Sequence, residues 1–446
     1  MKTHLTVIGA GLAGSEAAWQ AAEAGVPVTL YEMRPEKATP AHKSGHCAEL
    51  VCSNSLGSNQ DPSASFLLKE ELRNLDSLVI RAADRHSVPA GQALAVDREL
   101  FAAEITEALE NHPQITLKRQ EVMEIPTEGP VIIATGPLTS PAFSEQLTQR
   151  VGRQSLYFYD ALSPIIDAQT IDYEQTFFAS RYGKGQADYL NCGMSRAQYE
   201  AFVEQLLKGE KVPLKEFEKP VYFEGCMPIE ELASRGLQTL AFGPLKPVGL
   251  NHPETGERFH AVVQLRRENK DGTAYNMVGF QTKLTYPEQR RIFRTIPGLA
   301  SAEFFRLGAI HRNTYLKAPE LLSRDLSLKT HPHLWFAGQM IGVEGYVESC
   351  ATGLMAALSA LSRLQGADFA GPPIETALGA LLEYVTGKDG DYQPMNINFG
   401  LFPGLEPRIR DKKKRNQKIL QRALDKQKIW LKALEGVKQY RRPKPA

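Results

Sequence analysis

The sequence predicts an α/β protein in which a doubly wound parallel-sheet domain is interrupted by a mixed α+β insertion domain. Three observations support this. A strand, a glycine-rich turn, a helix and a second strand follow one another from residue 4 onward. The same buried-strand character returns at residue 331. Between residues 151 and 306 the composition shifts to more aromatics, prolines and short alternating runs.

Taken in order, "HLTVI" (4–8) is a short apolar run that reads as a buried strand, and "GAGLAG" (9–14) is a turn. "SEAAWQAAEAG" (15–25) is a helix closed by Gly25, and "VPVTLYEM" (26–33) is a second strand. Together they make a βαβ unit, which sets the two strands parallel. Residues 38–65 are rich in small and polar types and read as a long ordered loop, a length usually either functional or disordered. Helical spacing resumes in "SASFLLKEELRNLDSLVIRAA" (63–83) and in "DRELFAAEITEALENHP" (97–113), with the strand-like "HSVPAGQALAV" (86–96) between them. "QITLKRQEVMEI" (114–125) reads as a strand pair leading to the buried "GPVIIATG" (129–136). In the insertion, "SLYFYDALSPII" (155–166), "RFHAVVQLRREN" (258–269) and "AYNMVGFQT" (274–282) read as strands. "SRAQYEAFVEQLLKG" (195–209) and "TYPEQRRIFRTIPGL" (285–299) read as helices. "HPHLWFAGQM" (331–340) restores a buried strand, and "VESCATGLMAALSALSRL" (347–364) follows as a helix. The expected divisions are 1–150 and 307–407 for the two parts of the nucleotide domain, 151–306 for the insertion, and 408–446 for a basic C-terminal tail.

A chain of 446 residues, 42% apolar and 23% charged, has the make-up of a globular protein with two or three cores. It has no run of 18 apolar residues, so no membrane span is expected, and its first residues lack the pattern of a secretory signal. A cytoplasmic location is the expectation. Cys47, Cys52, Cys192, Cys226 and Cys350 are odd in number, scattered, and without a CxxC pair. That argues against a disulfide framework and against a structural metal site, and leaves reduced thiols. Residues 408–446 hold 15 Lys or Arg against 3 Asp or Glu; they carry +12, and the rest of a chain of net +1 carries −11. A basic tail on an acidic body suits a polyanionic partner, most simply nucleic acid. The same stretch has apolar residues at helical spacing, so a solvated terminal helix is the other reading.

Gly9, Gly11 and Gly14 form GxGxxG at the strand-to-helix junction. The first permits the turn, the second admits a pyrophosphate to the backbone, and the third allows close helix–strand packing. With Ala10, Leu12 and Ala13 they present the helix start to phosphates. Glu32 closes the second strand, where an acidic side chain binds ribose hydroxyls. This unit does not separate FAD from NAD(P), but two distant stretches favour FAD. "VIIATG" breaks at Gly136, and "LWFAGQMIGVEGYVESCATG" breaks at Gly338 and Gln339 before a glycine-rich turn holding Glu344 and Tyr346. A helix start there suits the ribityl phosphate and the negative edge of a reduced flavin. The nucleotide part is therefore expected to be an FAD-binding, Rossmann-like domain of the two-dinucleotide-binding flavoprotein type.

Two thiols stand in loops beside small residues: Cys52 in "AELVCSNSLGS" (48–58) and Cys226 in "VYFEGCMPIEEL" (221–232). Loops held by a rigid scaffold tend to carry chemistry, yet a small inert residue in a turn fits as well. Cys350, among Ala351, Leu354 and Met355, reads as core; Cys192 stays open, and Cys47 is merely close to Cys52 in the chain.

Six blocks, "GAGLAGSEAAWQ", "HCAELVCSNSLGS", "YFEGCMPIEELASRG", "LAFGPLKPVGL", "HRNTYLKAPELL" and "FAGQMIGVEGYVES", occur in order across nearly the whole chain. In them the sequence resembles the folate- and FAD-dependent tRNA uracil-5-methyltransferases. It departs at Gly193, where relatives often have proline, and at Cys350, where they often have alanine. The resemblance implies that 5,10-methylenetetrahydrofolate donates a carbon to C5 of the T-loop uridine in tRNA. It also implies that reduced FAD (FADH2) carries and reduces that carbon and that the flavin is recharged by NADPH or NADH. Cys52 and Cys226 occupy the positions of the family's two functional thiols, Cys226 being expected to attack C6 of the base and Cys52 to act on the flavin side. His311 is a candidate to stack on the pterin, and Arg312, Lys317, Lys412, Lys413, Lys414 and Arg415 are candidates to meet RNA phosphates. Alternatives are the same chemistry on a ribosomal RNA uridine, a related enzyme building aminomethyl groups at the wobble uridine, a small-molecule flavin oxidoreductase, and a non-catalytic RNA-binding flavoprotein. Oligomeric state is left open.

Overall fold

A computed structural model describes residues 4–39, 41–151, 155–161, 163–183, 187–212, 227–387, 392 and 394–436, with the backbone alone for 155–161, 310–314 and 435–436. Six strands form one sheet in the order Ser327–Leu328, His331–Phe336, Val131–Ile133, Leu5–Ile8, Val28–Glu32, Ile115–Arg119. Every neighbouring pair is parallel except the one with the edge strand Ser327–Leu328. Val7 stands opposite Leu30 on one side and Ile132 on the other. Val131, Ile132 and Ile133 are all fully buried. Three consecutive buried residues require cover on both faces of the sheet, which is why this strand reads as a continuous apolar run rather than an alternating one.

One helix, Leu12–Glu23, follows the first strand, and another, Tyr346–Leu364, packs across it. The crossing is close because Gly353 has no side chain: a Cβ there would come within 2.1 Å of the Ala13 carbonyl oxygen. Ala13 lies in the first turn of its helix and Gly353 two turns into the other, so both N-termini open at the same end of the sheet.

Several local expectations are revised. The helical pattern of 63–83 is two helices, Ala64–Arg73 and Leu78–Arg85, because Asp76 takes φ 48° and the Ser77 hydroxyl accepts from the Ile80 N–H to start the second. The strand pair of 114–125 is one strand, Ile115–Arg119; beyond it Met123 and Glu124 are exposed and only Ile125 is buried. The run 155–166 is divided at Pro164, which has no N–H for a ladder. Its first part, Ser155–Ala161, pairs antiparallel with Ile310–Leu316, and its second, Ile165–Asp167, joins another sheet. The chain thus leaves and re-enters the first body along one two-stranded ladder.

That other sheet is antiparallel, ordered Phe177–Ala179, Tyr189–Met194, Ala261–Arg267, Ala274–Met277, Ile165–Asp167, Phe304–Arg306. Leu190, Val263, Leu265 and Met277 form a second apolar cluster with Tyr199, Phe202 and Leu206 of the helix Arg196–Lys208 and Ile292 and Phe293 of Tyr286–Phe293. Gly193 is accounted for here, since the ring of Phe259 occupies the place of its Cβ, 2.3 Å away.

The C-terminal helix Lys412–Gly436 docks on the first body rather than standing free. Ile419, Leu420, Ala423 and Trp430 are buried in the first apolar cluster. The Gln427 amide donates to the Glu71 carbonyl and accepts from Asn74 Nδ2, and Trp430 Nε1 donates to the Ala370 carbonyl. Among the described residues, no helix is long and apolar enough to cross a membrane.

Candidate active site: a glycine-lined cleft and the Cys52 loop

A cleft of about 1050 Å³, its open mouth included, lies where the two helix N-termini meet the ends of the parallel strands. Its floor is the first turn. Gly9 has φ +96° and a Cβ on it would stand 2.6 Å from the Ala134 carbonyl oxygen; a Cβ on Gly14 would stand 1.8 Å from the carbonyl oxygen of Gly9. These two glycines therefore serve backbone packing. Gly11 differs, for a Cβ there would meet nothing within 4 Å. The space before the helix start is open, as a bound phosphate requires. Leu12 and Ala13 also line the cleft, and the other strand ends reach it through Gly136, Gly338 and Gln339. Gly338 is held in place by its N–H donating to Thr352 Oγ1.

Glu32 lines the cleft at the end of its strand and is nearly inaccessible. The Ala10 N–H donates to its Oε2 at 3.0 Å, and Arg34 donates to Oε1 from both its backbone N–H and Nε. Burial pushes the carboxyl up, but the Arg34 charge and these bonds outweigh it, so Glu32 is held below the usual carboxylate range. An ionised carboxylate keeps acceptor capacity beyond the bonds it already has. Arg34 continues to Glu49, whose carboxylate also accepts from the Lys43 and Ser44 N–H groups. The loop that carries Cys52 is thereby anchored to the cleft floor.

Cys52 is half-buried; Cys47, Cys192 and Cys350, the other described cysteines, are buried. Burial pushes Cys47 up to about 11 and Cys192 up to about 12, and it raises Cys350 too, with Glu16 beside it. Those three stay protonated thiols near neutral pH. Cys52 adjoins Val51, which lines the cleft, and Tyr346, which also lines it, accepts at its phenolic oxygen from the Cys52 N–H at 2.9 Å and the Ser53 N–H at 3.1 Å. Arg98 and Arg306 donate to the carbonyls of this loop, and Arg266 donates to Ser53 Oγ and Asn54 Oδ1.

Of the residues singled out in the sequence, Gly9, Gly11, Leu12, Ala13, Glu32, Gly136, Gly338, Gln339 and Tyr346 line this one cleft, with Ala10 and Gly14 directly behind it. Glu344 is not among the lining residues; its backbone pairs with Met395 and Asn396. His311 and Arg312 lie on Ile310–Leu316, opposite Asp160 and Tyr159, in a strand that packs beside the Gln339–Ile341 turn; the description there is of backbone alone. Lys317 follows that strand, with its ammonium on Glu320. Lys412, Lys413 and Lys414 are exposed and Arg415 partly so, at the start of the C-terminal helix. Lys412 and Lys413 border a groove with Ser58, Gln60 and Ser63, the continuation of the Cys52 loop. Cys226 lies outside the described residues. No group of three or more His, Cys, Asp or Glu that could hold a metal occurs among the described residues. Arg34, Glu49, Arg98, Arg266 and Arg306 were not foreseen. None of them belongs to a motif, and only the meeting of distant segments gives each a role.

Residues 4–368 match the family described as glucose inhibited division protein A. The methylenetetrahydrofolate--tRNA-(uracil-5-)-methyltransferase TrmFO of Natranaerobius thermophilus is 57% identical over 422 residues, 94% of this chain and 97% of that protein. The protein of the same name from Aquifex aeolicus is 55% identical over 432 residues, 97% of each chain. Among solved structures, Aquifex aeolicus GidA in its form II crystal has a TM-score of 0.70 at 19% identity, covering 97% of this chain and 76% of that one, a likeness of fold.

Proposed function

The chain belongs to the folate-dependent tRNA (uracil-5-)-methyltransferases, and on that premise we propose what its residues contribute. The protein is an enzyme that methylates C5 of uracil in tRNA, drawing on methylenetetrahydrofolate and FAD. The T-loop uridine is the proposed target, NADPH or NADH the proposed source of electrons, and the cytoplasm the proposed location. Residues 1–150 and 307–407 are proposed as one FAD-binding, Rossmann-like domain around the insertion 151–306, with the tail 408–446 set against it.

The cleft fits FAD on its own features: open space before Gly11 at a helix start, and an ionised Glu32 beside it. The backbone from Gly9 to Ala13 would hold the pyrophosphate, Gly14 the packing behind it, and Glu32 a ribose. Gly136, Gly338, Gln339 and Tyr346 would flank the rest, with Glu344 near the same turn. Bound there in reduced form, the flavin would supply the electrons that turn the folate-derived carbon into a methyl group.

One thiol acts on the base and the other on the cofactor side. C5 of uracil is a weak nucleophile until a thiolate adds at C6 and moves the double-bond electrons to C5 and O4. We assign that addition to Cys226. Once C5 has gained its new carbon it loses its proton, and the sulfur–C6 bond breaks to restore the ring and the thiolate. Cys52 is the partner on the cofactor side, able to accept or return a proton there. The observation that carries this reading is the pair of hydrogen bonds from the Cys52 and Ser53 N–H groups to Tyr346, a residue of the cleft wall. His311 is proposed beside the folate. Arg312, Lys317 and Lys412, Lys413, Lys414 and Arg415 are proposed on RNA phosphates, and the groove that Lys412 and Lys413 share with Ser58 and Ser63 favours a strand led towards the Cys52 loop.

The test offers tRNA and ribosomal RNA together to the purified yellow protein with methylenetetrahydrofolate and NADPH. 5-Methyluridine is expected in the tRNA alone. Label in ribosomal RNA moves the target, and an unmodified pool overturns the assignment. Cys226→Ala is expected to retain FAD and lose methylation; normal turnover removes it as the attacking group.

A further inference from the structure

The four residues 50–53 belong to no helix or strand, yet five polar backbone groups around Cys52 are held by side chains from elsewhere. Arg98, at the start of the helix Arg98–Glu110, donates Nη1 to the Leu50 carbonyl at 2.6 Å. Its guanidinium is fixed by a two-point pairing with Glu268 of the insertion. Arg306, the last residue of Phe304–Arg306, donates Nη1 to the Val51 carbonyl at 2.7 Å and Nη2 to the Cys52 carbonyl at 3.3 Å. The Cys52 and Ser53 N–H groups both go to the Tyr346 oxygen. The half-buried thiol itself has no such restraint among the described residues.

We propose that Tyr346 and Arg306 are positioning residues for Cys52, fixing its thiol between the cofactor cleft and the insertion sheet. This rests on the reading of Cys52 as a working thiol. Two features set the clamp apart from a fold staple. A phenylalanine would fill the volume of Tyr346, so the oxygen serves the two amides. Arg98 and Arg306 are also crowded: burial, and then the Arg98 charge, push Arg306 down to about 10, and its buried Nε has no partner among the described residues. Packing alone would favour apolar residues here, whereas forked guanidiniums hold carbonyls in a fixed direction. The Arg306 end of the clamp makes the thiol's place depend on the insertion sheet, so the two bodies must be in register for the site to form.

The test uses the FAD-loaded enzyme with Tyr346→Phe, Arg306→Lys, Arg306→Met and Cys52→Ala. Tyr346→Phe is expected to keep its flavin and lower kcat for uracil methylation by about ten-fold to a hundred-fold, with KM for tRNA little changed. Its Cys52, located by peptide mapping, is expected to be alkylated several-fold faster in the native state because the loop is released. Arg306→Lys is expected to fall between wild type and Arg306→Met, and it decides by the same readouts should Tyr346→Phe fail to fold. Wild-type kcat and alkylation in Tyr346→Phe, or loss of its flavin, overturns the proposal. Full methylation by Cys52→Ala overturns instead the reading of Cys52 itself.

Discussion

At Gly14 the space for one methyl group decides whether the turn can exist. The atom nearest its absent Cβ is a carbonyl oxygen at 1.8 Å, backbone that cannot swing away as a flexible side chain would. Gly14→Ala must therefore displace the Gly9–Gly11 turn that forms the cleft floor. The expected result is a folded protein with little visible flavin absorbance per chain, and full flavin content in that variant removes the turn as the pyrophosphate seat. The glycine spacing showed this turn in the sequence, because glycine is constrained by its own backbone and nearest neighbours. The cysteines behave otherwise. Nothing in "NCGM" or "HCAEL" shows that Cys192 and Cys47 are fully buried while Cys52 is not, since burial is decided by which distant elements come to cover each thiol.

At the level of the element, the C-terminal helix presents a buried apolar face and an exposed basic start. Ile419, Leu420, Ala423 and Trp430 are inserted in the first core, while Lys412, Lys413 and Lys414 face solvent at its start. Removing the helix would expose that core, so deletion cannot separate RNA binding from folding. Lys412→Gln, Lys413→Gln and Lys414→Gln together leave the buried face intact. The combined variant should bind tRNA more weakly, with its salt slope reduced by about 0.7–0.9 for each phosphate left without its lysine. An unchanged slope assigns these lysines to solvent. Helical spacing and charge were both legible in the sequence here. What that apolar stripe packs against was not, because a stripe does not name its partner; the structure shows it docked on the first core, with exposed lysines at the helix start.

Across the whole molecule, stability should depend on pH through buried carboxyls. Burial pushes Glu71 up to about 8, even though it accepts the Ala377 and Leu378 N–H groups, and pushes Glu348 up to about 7. Burial likewise lowers Lys69 to about 8, with Glu348 opposing. A carboxyl with a raised folded pKa binds more protons folded than unfolded between about 4.5 and that value, so its contribution is present at low pH and lost as pH rises through 7–8. Lys69 acts in the opposite sense and only above about 8, where its neutral form favours the folded state. The urea midpoint is therefore expected to fall from pH 5 to pH 8, and Glu71→Gln should flatten that fall by an amount on the order of 1.4 kcal/mol per pH unit over which Glu71 stays protonated. Equal slopes in the two proteins overturn the assignment.

Periodicity and glycine spacing made the βαβ start and the buried character of the return strand legible, because a strand or a tight turn is written in residues close in the chain. They also located the Cys52 loop, though not its surroundings. Tertiary structure alone decided that the loop is held by Arg98, Arg266, Arg306 and Tyr346, which lie 46 to 294 residues away along the chain. A lone arginine or tyrosine has no local pattern; its hydrogen bonds exist only after the parallel sheet and the insertion sheet have folded and met.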